Sequence, residues 1–248
     1  MIKEVMDVNG KYILITGASG GIGKATAIEF AKQGYSLYLH YHSNKEAIEQ
    51  LMEELKPFGV ECMPIQADLS VPEGVEKLCA NIFSLNGIVL NSGKSYYGLV
   101  NDMSMDMINE SIQLHMTSPF LIVQKLLPKL MKQPKSAIVA VTSIWGDTGA
   151  SCEVLYSMVK GGQNAFVKAL SKELAPMGIR VNAVSPGAVK TQMLNGFSDE
   201  ELQQLEEEIP LGRLAEPEEI ASSIFYLLSD ASSYITGQIM RVNGGWYT

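Results

Sequence analysis

The sequence has few cysteines, and their arrangement does not suggest a scaffold. The chain of 248 residues contains three, Cys62, Cys79 and Cys152, far apart from one another. Three thiols cannot all pair within one chain, and their spacing matches no zinc-ligand pattern. This argues against a disulfide-stapled scaffold and a zinc finger, predicts no metal site, and favours reduced thiols in a cytoplasmic protein.

Basic residues and long apolar runs are also scarce. The 19 lysines and arginines stand against 27 acids, so the net charge is −8, whereas a nucleic-acid-binding domain normally has a basic face. No window reaches the roughly 18 apolar residues of a membrane span. The apolar run Tyr12–Ile15 is too short for a secretory signal. We therefore expect neither a nucleic-acid partner nor a membrane partner.

The order of apolar segments predicts the fold. Short β-branched or aromatic runs alternate with amphipathic helical stretches, which is typical of a parallel sheet covered by helices on both faces. With right-handed crossovers, this predicts an α/β, three-layer, doubly wound Rossmann fold: one domain over residues 1–248 with a single, mostly parallel seven-stranded sheet. The predicted strands are Tyr12–Thr16, Leu37–Tyr41, Glu61–Ala67, Gly87–Asn91, Ser136–Ser143, Arg180–Ser185 and Gln238–Val242. The predicted helices are Ile22–Gln33, Asn44–Lys56, Val71–Phe83, Met105–Met131, Val154–Leu174 and Pro217–Leu228.

A glycine-rich turn, Thr16–Gly23, joins the first predicted strand to the first helix. Gly17 permits a tight turn, Gly21 a close approach to a pyrophosphate, and Gly23 close packing of helix on strand. The helix N-terminus would offer its free N–H groups to that anion. The turn predicts dinucleotide binding, although a tight turn without a ligand has the same residues.

The end of the second predicted strand bears on the choice of cofactor. It reads Tyr41-His42-Ser43-Asn44-Lys45 and has no acid. NAD-binding folds usually place there a carboxylate that accepts the ribose hydroxyls and would repel a 2′-phosphate. We therefore predict NADPH (NADP⁺). Alternatively, these residues simply begin the next helix, with Asn44 as its N-cap.

Tyr156 and Lys160 lie four residues apart in a predicted helix, so both project from one face. An ammonium group near a phenol favours the phenolate and lowers the tyrosine pKa. Tyr156 is then a candidate general acid toward a carbonyl oxygen. Ser143 ends the preceding strand at the ligand side of the sheet, where its hydroxyl could hold the same oxygen. Taken alone, this common spacing does not establish catalysis.

Together these motifs resemble the short-chain dehydrogenase/reductase family. The resemblance comprises T-G-x-x-x-G-x-G at Thr16–Gly23, Ser143 thirteen residues before Tyr156, and Y-x-x-x-K at Tyr156–Lys160. R-V-N-A-V-S-P-G at Arg180–Gly187 and I-T-G-Q-x-x-x-V-N-G-G at Ile235–Gly245 extend it over nearly the whole chain.

The resemblance implies roles for individual residues. Lys160 would also hold the nicotinamide ribose, Ser143 would orient the carbonyl, Asp68 would meet the adenine, and the Val189 backbone would meet the carboxamide. Hydride transfer would reduce a ketone that Tyr156 protonates. The implied cofactor-binding set is Gly17, Ser19, Gly21, Ile22, Gly23, Tyr41, His42, Ser43, Asn44, Asp68, Leu69, Asn91, Ser92, Gly93, Tyr156, Lys160, Pro186, Gly187, Val189 and Thr191.

Two positions depart from the family pattern. The family usually reads N-N-A-G after the fourth strand, where this chain reads Leu90-Asn91-Ser92-Gly93. The fourth catalytic residue of the family is an asparagine that holds a water of the proton relay, and His115 takes its place here. An imidazole that titrates near neutrality could carry that proton. His115 could equally be a hydrogen-bonded structural substitute.

The whole-chain pattern resembles 3-oxoacyl carrier-protein reductases, and finer motifs resemble the elongation factor P 5-aminopentanone reductases. These motifs are Ile88–Gly93, Gln113–His115, Ser143–Gly146 and Ala150–Met158. The resemblance implies a ketone substrate carried on a protein, either elongation factor P or acyl carrier protein. It also implies a homotetramer assembled through the two long helices and the C-terminal segment.

A substrate lid is expected at about residues 193–214. It contains Ser198–Glu208, which has six acids and no base. These charges would repel an acidic carrier protein and suit a cationic aminopentanone group. Met177 stands where carrier-protein reductases often have a base. The alternative is a solvated helix face. Trp145 either walls the substrate pocket or is a packed aromatic residue.

Three functions therefore stand after the sequence analysis. The first is an NADPH-dependent reductase of the aminopentanone group, with Ser143, Tyr156, Lys160 and His115 as its catalytic residues. The second is a 3-oxoacyl carrier-protein reductase. The third is a dinucleotide-binding sensor without chemistry, which an intact catalytic set disfavours.

Overall fold

The computed structural model describes residues 10–247, so the remaining ten residues of the predicted domain lie outside the described part. Seven strands form one sheet in the order β3-β2-β1-β4-β5-β6-β7, and every neighbouring pair is parallel. The predicted doubly wound fold is confirmed. The strands are β1 (Tyr12–Ile15), β2 (Ser36–Tyr41), β3 (Cys62–Gln66), β4 (Gly87–Leu90), β5 (Ser136–Val141), β6 (Ile179–Pro186) and β7 (Ile239–Val242).

Helices cover both faces of the sheet. Apolar residues that alternate along the strands supply two cores: Leu14 faces one, and its neighbours Ile13 and Ile15 face the other. The helices are α1 (Gly21–Lys32), α2 (Lys45–Leu55), α3 (Pro72–Ala80), α4 (Met105–Ile112), α5 (Ser118–Leu130), α6 (Trp145–Thr148), α7 (Val154–Leu174), α8 (Asp199–Glu208) and α9 (Pro217–Leu228).

The predicted helix Met105–Met131 is interrupted in the structure. A π turn, Gln113–Thr117, separates α4 from α5. Such a turn inserts an extra residue and often occurs at functional sites. It places His115 inside the molecule, where its side chain is fully buried.

Sequence periodicity gave most of the other elements to within a few residues. The structure also contains the short helix α6, which the sequence did not predict. The acidic segment Ser198–Glu208 forms helix α8, and a capping box of Ser198 and Glu201 stabilises its N-terminus. In the part of the chain that is described, no helix is both long enough and apolar enough to cross a membrane.

Candidate active site

The glycine-rich turn lies at the carboxyl edge of the sheet, between β1 and α1. Gly17 has φ +68°, a left-handed conformation that favours glycine. A Cβ on Gly23 would lie 2.1 Å from the Gly17 carbonyl oxygen, so the helix can approach the turn only with glycine there. The predicted roles of these two glycines in shaping the turn match this geometry.

Hydrogen bonds from the loop after β4 hold the turn from the other side. The Asn91 side-chain amide donates to the carbonyl oxygens of Thr16 (2.9 Å) and Gly17 (3.2 Å). The backbone N–H groups of Asn91 and Ser92 donate to the Thr16 hydroxyl at 2.9 and 3.0 Å. Asn91 therefore braces the turn, in addition to any contact with a cofactor.

A groove of about 620 Å³ runs along this edge. Its volume, its glycine floor and the N-terminus of α1 are suited to a dinucleotide. Twelve of the predicted cofactor-binding residues line it: Gly17, Ser19, Gly21, Ile22, Gly23, His42, Asp68, Leu69, Asn91, Ser92, Gly93 and Thr191.

The other predicted cofactor-binding residues lie outside the walls of this groove. For Tyr41 the cofactor contact stays a prediction, and its side chain is buried in the core with residues of α1 and α2. Asn44 caps α2 by accepting from Ala47 N–H at 3.0 Å, as the alternative interpretation expected. Val189 is buried and pairs with Ala215, which joins the segment after β6 to the end of the lid. The remainder are Ser43, Tyr156, Lys160, Pro186 and Gly187.

Asp68 lies at the groove beside an exposed histidine. Burial raises the pKa of this carboxyl, but hydrogen bonds from the Ser70 hydroxyl (2.6 Å) and N–H (2.9 Å) outweigh it and lower the pKa below its usual value. The nearby His42 adds to that lowering, with its Nε2 3.6 Å from the carboxylate. Asp68 is therefore a fixed anion that can accept hydrogen bonds from a bound adenosine.

Sequence analysis missed His40, which supports the turn from β2. Its Nδ1 accepts from Gly17 N–H at 3.1 Å, and its Nε2 contacts the Ala67 carbonyl at 3.1 Å, where it must donate. Burial lowers the pKa of His40 to about 4, so the ring is neutral at physiological pH. A histidine inside an otherwise apolar strand was the available signal.

Tyr156 and Lys160 occupy successive turns of α7, and Ser143 follows β5 opposite them. The Lys160 Nζ lies 5.4 Å from the Tyr156 ring centroid and donates to the Val141 carbonyl at 2.8 Å. The Ser143 hydroxyl is close enough to the phenol to lower its pKa. The structure thus brings the three predicted catalytic side chains together.

The predicted effect of Lys160 on Tyr156 needs correction. Burial, and after it the charge of Glu153, raises the pKa of the Tyr156 phenol well above its ordinary value, against the smaller effect of Ser143. Burial also lowers the pKa of Lys160 to about 7, and its Nζ donates to the uncharged Val141 carbonyl. Tyr156 therefore holds its proton firmly at neutral pH, as a general acid must before it donates.

His115 is neutral in this structure. Burial, with the charge of Lys160 second, lowers its pKa to about 3, so the expectation that it titrates near neutrality is wrong. Its Nε2 lies 2.8 Å from the Lys94 carbonyl, which requires the ring proton there. The ring packs edge-on against Tyr156, with centroids 5.8 Å apart. A Cβ on Gly93 would lie 2.9 Å from the His115 ring, so the N-S-G sequence gives the imidazole its space.

The backbone of His115 is engaged as well, because Gln163 Nε2 donates to its carbonyl oxygen at 2.8 Å. In the described part of the chain, His115 Nδ1 has no hydrogen-bond partner. These contacts favour the structural interpretation of His115 over a proton relay.

The structure also shows the surroundings of Trp145 and of the predicted substrate lid. Trp145 packs against Trp246 and Tyr247, with ring centroids 5.3 and 5.5 Å away, so the interpretation as a packed aromatic residue is favoured. A second groove of about 610 Å³ lies between the glycine-rich turn and the lid, which contributes Leu194 and Phe197 among its walls. Across residues 10–247, no group of three or more potential metal ligands comes together.

Comparisons with known proteins find similarity over nearly the whole chain. Residues 17–247 match the family model described as "Enoyl-(Acyl carrier protein) reductase". The chain is 54% identical to "Uncharacterized oxidoreductase YmfI" of Bacillus subtilis, over 96% of this chain and 99% of that protein. It is 36% identical to the 3-oxoacyl-[acyl-carrier-protein] reductase FabG of Staphylococcus epidermidis, over 96% and 99% of the two chains.

Solved structures show the same fold. The angucycline C-6 ketoreductase LanV with bound NADP superposes with a TM-score of 0.91 at 26% identity, covering 97% of this chain and 96% of that one. The reductase LugOII, described as catalysing keto-reduction, superposes with a TM-score of 0.90 at 27% identity, covering 96% and 97%. With its fold, its glycine-rich turn and its Ser–Tyr–Lys set, this chain belongs to the short-chain dehydrogenase/reductase family of oxidoreductases.

Proposed function

We propose that the protein is an NADPH-dependent reductase that converts a ketone to a secondary alcohol. The observation that carries this proposal is the meeting of Ser143, Tyr156 and Lys160 at the carboxyl edge of the sheet that also forms the dinucleotide groove. When bound, the nicotinamide would supply the hydride. A sensor without chemistry would not need these three side chains together.

NADPH is favoured over NADH by the groove. No acid ends β2, and the exposed His42 with Ser43 can approach a 2′-phosphate without repelling it. LanV, a structural relative, carries NADP. The glycines that leave no room for a Cβ, together with the N-terminus of α1, would hold the pyrophosphate.

The side chains divide the proton chemistry among them. The Ser143 hydroxyl would donate a hydrogen bond to the substrate carbonyl, and Tyr156 would transfer its proton to the same oxygen as negative charge develops there. Burial lowers the pKa of Lys160 to about 7, and more polar or anionic surroundings would raise that pKa and favour the ammonium form. Its ammonium would then stabilise the tyrosinate left after transfer.

We propose the 5-aminopentanone group on a lysine of elongation factor P as the substrate. The motifs at Ile88–Gly93 and Ala150–Met158 support it, and so does the exposed acidic helix α8 beside the cleft. Negative charge there would disfavour an acidic carrier protein and attract a cationic substrate. The second candidate, reduction of a 3-oxoacyl carrier protein, is favoured by the FabG relatives, among them one of Aquifex aeolicus at 37% identity.

Oxidation of NADPH, measured with both substrates in parallel, tests the proposal. We expect turnover with aminopentanone-modified elongation factor P and little with a 3-oxoacyl thioester of acyl carrier protein. Faster turnover of the thioester would replace the first substrate by the second. Tight NADPH binding without turnover of either substrate would support a dinucleotide-binding sensor instead of a reductase.

We propose a homotetramer in the cytoplasm. Phe120 on α5 packs against Phe166 on α7 and remains 54% exposed, and Met158 on α7 is 54% exposed, so both long helices offer apolar surface to a second copy. Three free cysteines suit a reducing compartment. Light scattering after gel filtration distinguishes monomer, dimer and tetramer.

A further inference from the structure

The backbone just before α7 is strained. Cys152 has φ +61°, the one non-glycine residue between Gly10 and Tyr247 with a positive φ. For such a residue the left-handed conformation costs about 1 kcal/mol, and the surrounding structure must compensate for it. The Cys152 carbonyl accepts from Gly98 N–H at 2.9 Å, which ties this turn to the loop after β4. The strained turn fixes the direction of the next residue, Glu153.

Glu153 is a half-buried carboxylate one helical turn before Tyr156. Its Oε2 accepts from the Ser95 hydroxyl at 2.6 Å, a second tie to the loop after β4. Within the described residues no lysine, arginine or histidine pairs with it. The lysine of that loop, Lys94, is bonded instead to Glu110 (3.2 Å) and to the hydroxyl of Tyr96 (2.7 Å). Glu153 is thus a positioned carboxylate without a cationic partner among residues 10–247.

The charge of Glu153 acts on Tyr156 and on the loop after β4. It raises the pKa of Tyr156, second only to burial. The pKa of Tyr97 is raised as well, mainly by a hydrogen bond from Cys152, then by the charge of Cys152 and by burial. The charges of Glu153 and, less, of Glu201 in α8 add to this rise. Burial raises the pKa of Glu153 itself, the direction expected of a carboxylate without a cation.

We propose that Glu153 forms an ammonium-binding subsite in the substrate cleft and selects ketones that carry a protonated amine. The proposal rests on the proposed ketone reduction and adds the residue that recognises the substrate. A cation bound there would supply the missing counter-ion, through a charge-assisted hydrogen bond to the carboxylate. Ser95 and the Cys152 turn prepare the carboxylate for this contact before the substrate arrives.

Two matched ketones test the subsite. One is a linear methyl ketone that ends in a primary amine, with a spacer too long for the amine to close on the carbonyl. The other has a methyl group in place of the amine. The selectivity, defined as the ratio of kcat/KM for the amine to that for the methyl compound, is measured for wild type, Glu153→Gln, Glu153→Asp and Glu173→Gln. Glu173→Gln removes the same charge from the exposed far end of α7, about 30 Å away by helix length.

We expect Glu153→Gln to lower the selectivity about tenfold or more, as the loss of a charge-assisted contact does. The charge-retaining Glu153→Asp should keep part of it, and Glu173→Gln should keep all of it. Glu153→Gln should also move the basic limb of the pH–rate profile to lower pH, because the carboxylate no longer raises the Tyr156 pKa. The groups facing Tyr156 in that titration are Ser143, Glu153, Lys160 and the neutral His115.

Unchanged selectivity in Glu153→Gln, with both ketones still reduced, would overturn the subsite and leave the ketone reductase intact. An equal loss for the two ketones would assign Glu153 to the structure of the loop and overturn the subsite as well. If wild type reduces neither ketone nor the modified factor, the proposed function fails, and the subsite fails with it.

Discussion

Two buried histidines should make the fold sensitive to mild acid. Burial lowers the pKa of His40 to about 4 and that of His115 to about 3, from 6.5 in an unfolded chain. Their side chains are essentially inaccessible to solvent. Below pH 6.5 the two histidines are protonated in the unfolded state but stay neutral in the folded state. The free energy of unfolding therefore falls as the pH falls.

The magnitude follows from the size of the pH step. Each unit below 6.5 costs about 1.4 kcal/mol per histidine, so each contributes about 2 kcal/mol at pH 5, and the pair about 4 kcal/mol. The loss continues until the pH reaches the folded pKa values. Hydrogen bonds from Arg213 lower the pKa of Glu219 to about 2. Glu219 therefore reduces the stability only below pH 4.5, the pKa of an unperturbed glutamate. Between pH 6.5 and 5 the histidines therefore dominate, against a total stability of about 5–15 kcal/mol.

Urea unfolding at pH 7.5 and pH 5 measures this difference. We expect the free energy of unfolding to fall by about 5 kcal/mol in wild type, of which about 4 kcal/mol comes from the histidines and about 1 kcal/mol from Lys160, whose folded pKa is about 7. The fall should be about 2 kcal/mol smaller in His115→Asn, which lacks one of the two histidines. His42→Asn is the matched control, because its ring is exposed, and it should retain the full loss. Equal stability of wild type at both pH values, or the full loss in His115→Asn, would refute the reasoning.

Three further predictions concern the site. Tyr156→Phe should lower kcat at least about 100-fold while the NADPH Kd, followed by nucleotide fluorescence, stays nearly the same; turnover close to wild type would remove Tyr156 as the acid. Gly23→Ala should abolish NADPH binding in the same titration, because its Cβ would lie 2.1 Å from the Gly17 carbonyl; wild-type affinity would contradict the packing. His115→Asn should leave the pH–rate profile near neutrality unchanged, because the wild-type pKa is about 3; a shifted profile would restore the relay.

The sequence predicted the chemistry because the motif residues are local. The turn at Thr16–Gly23 is contiguous, and Tyr156 and Lys160 share a face through the helical repeat alone. Strand and helix periodicity likewise predicted the layers, since alternating apolar residues such as Ile13, Leu14 and Ile15 must face two cores. These patterns do not depend on contacts between distant segments.

Burial and long-range bonding were decided only by tertiary structure. The low pKa of His115 results from its burial, and the π turn Gln113–Thr117 places the imidazole in the interior beside Gly93 and Lys94. The pKa of Tyr156 depended on its surroundings more than on Lys160, its sequence neighbour. Residue type and spacing were enough to predict the candidate catalytic residues, because both are properties of the sequence itself. Their charge states depend on desolvation by segments far along the chain, which only the folded arrangement brings together.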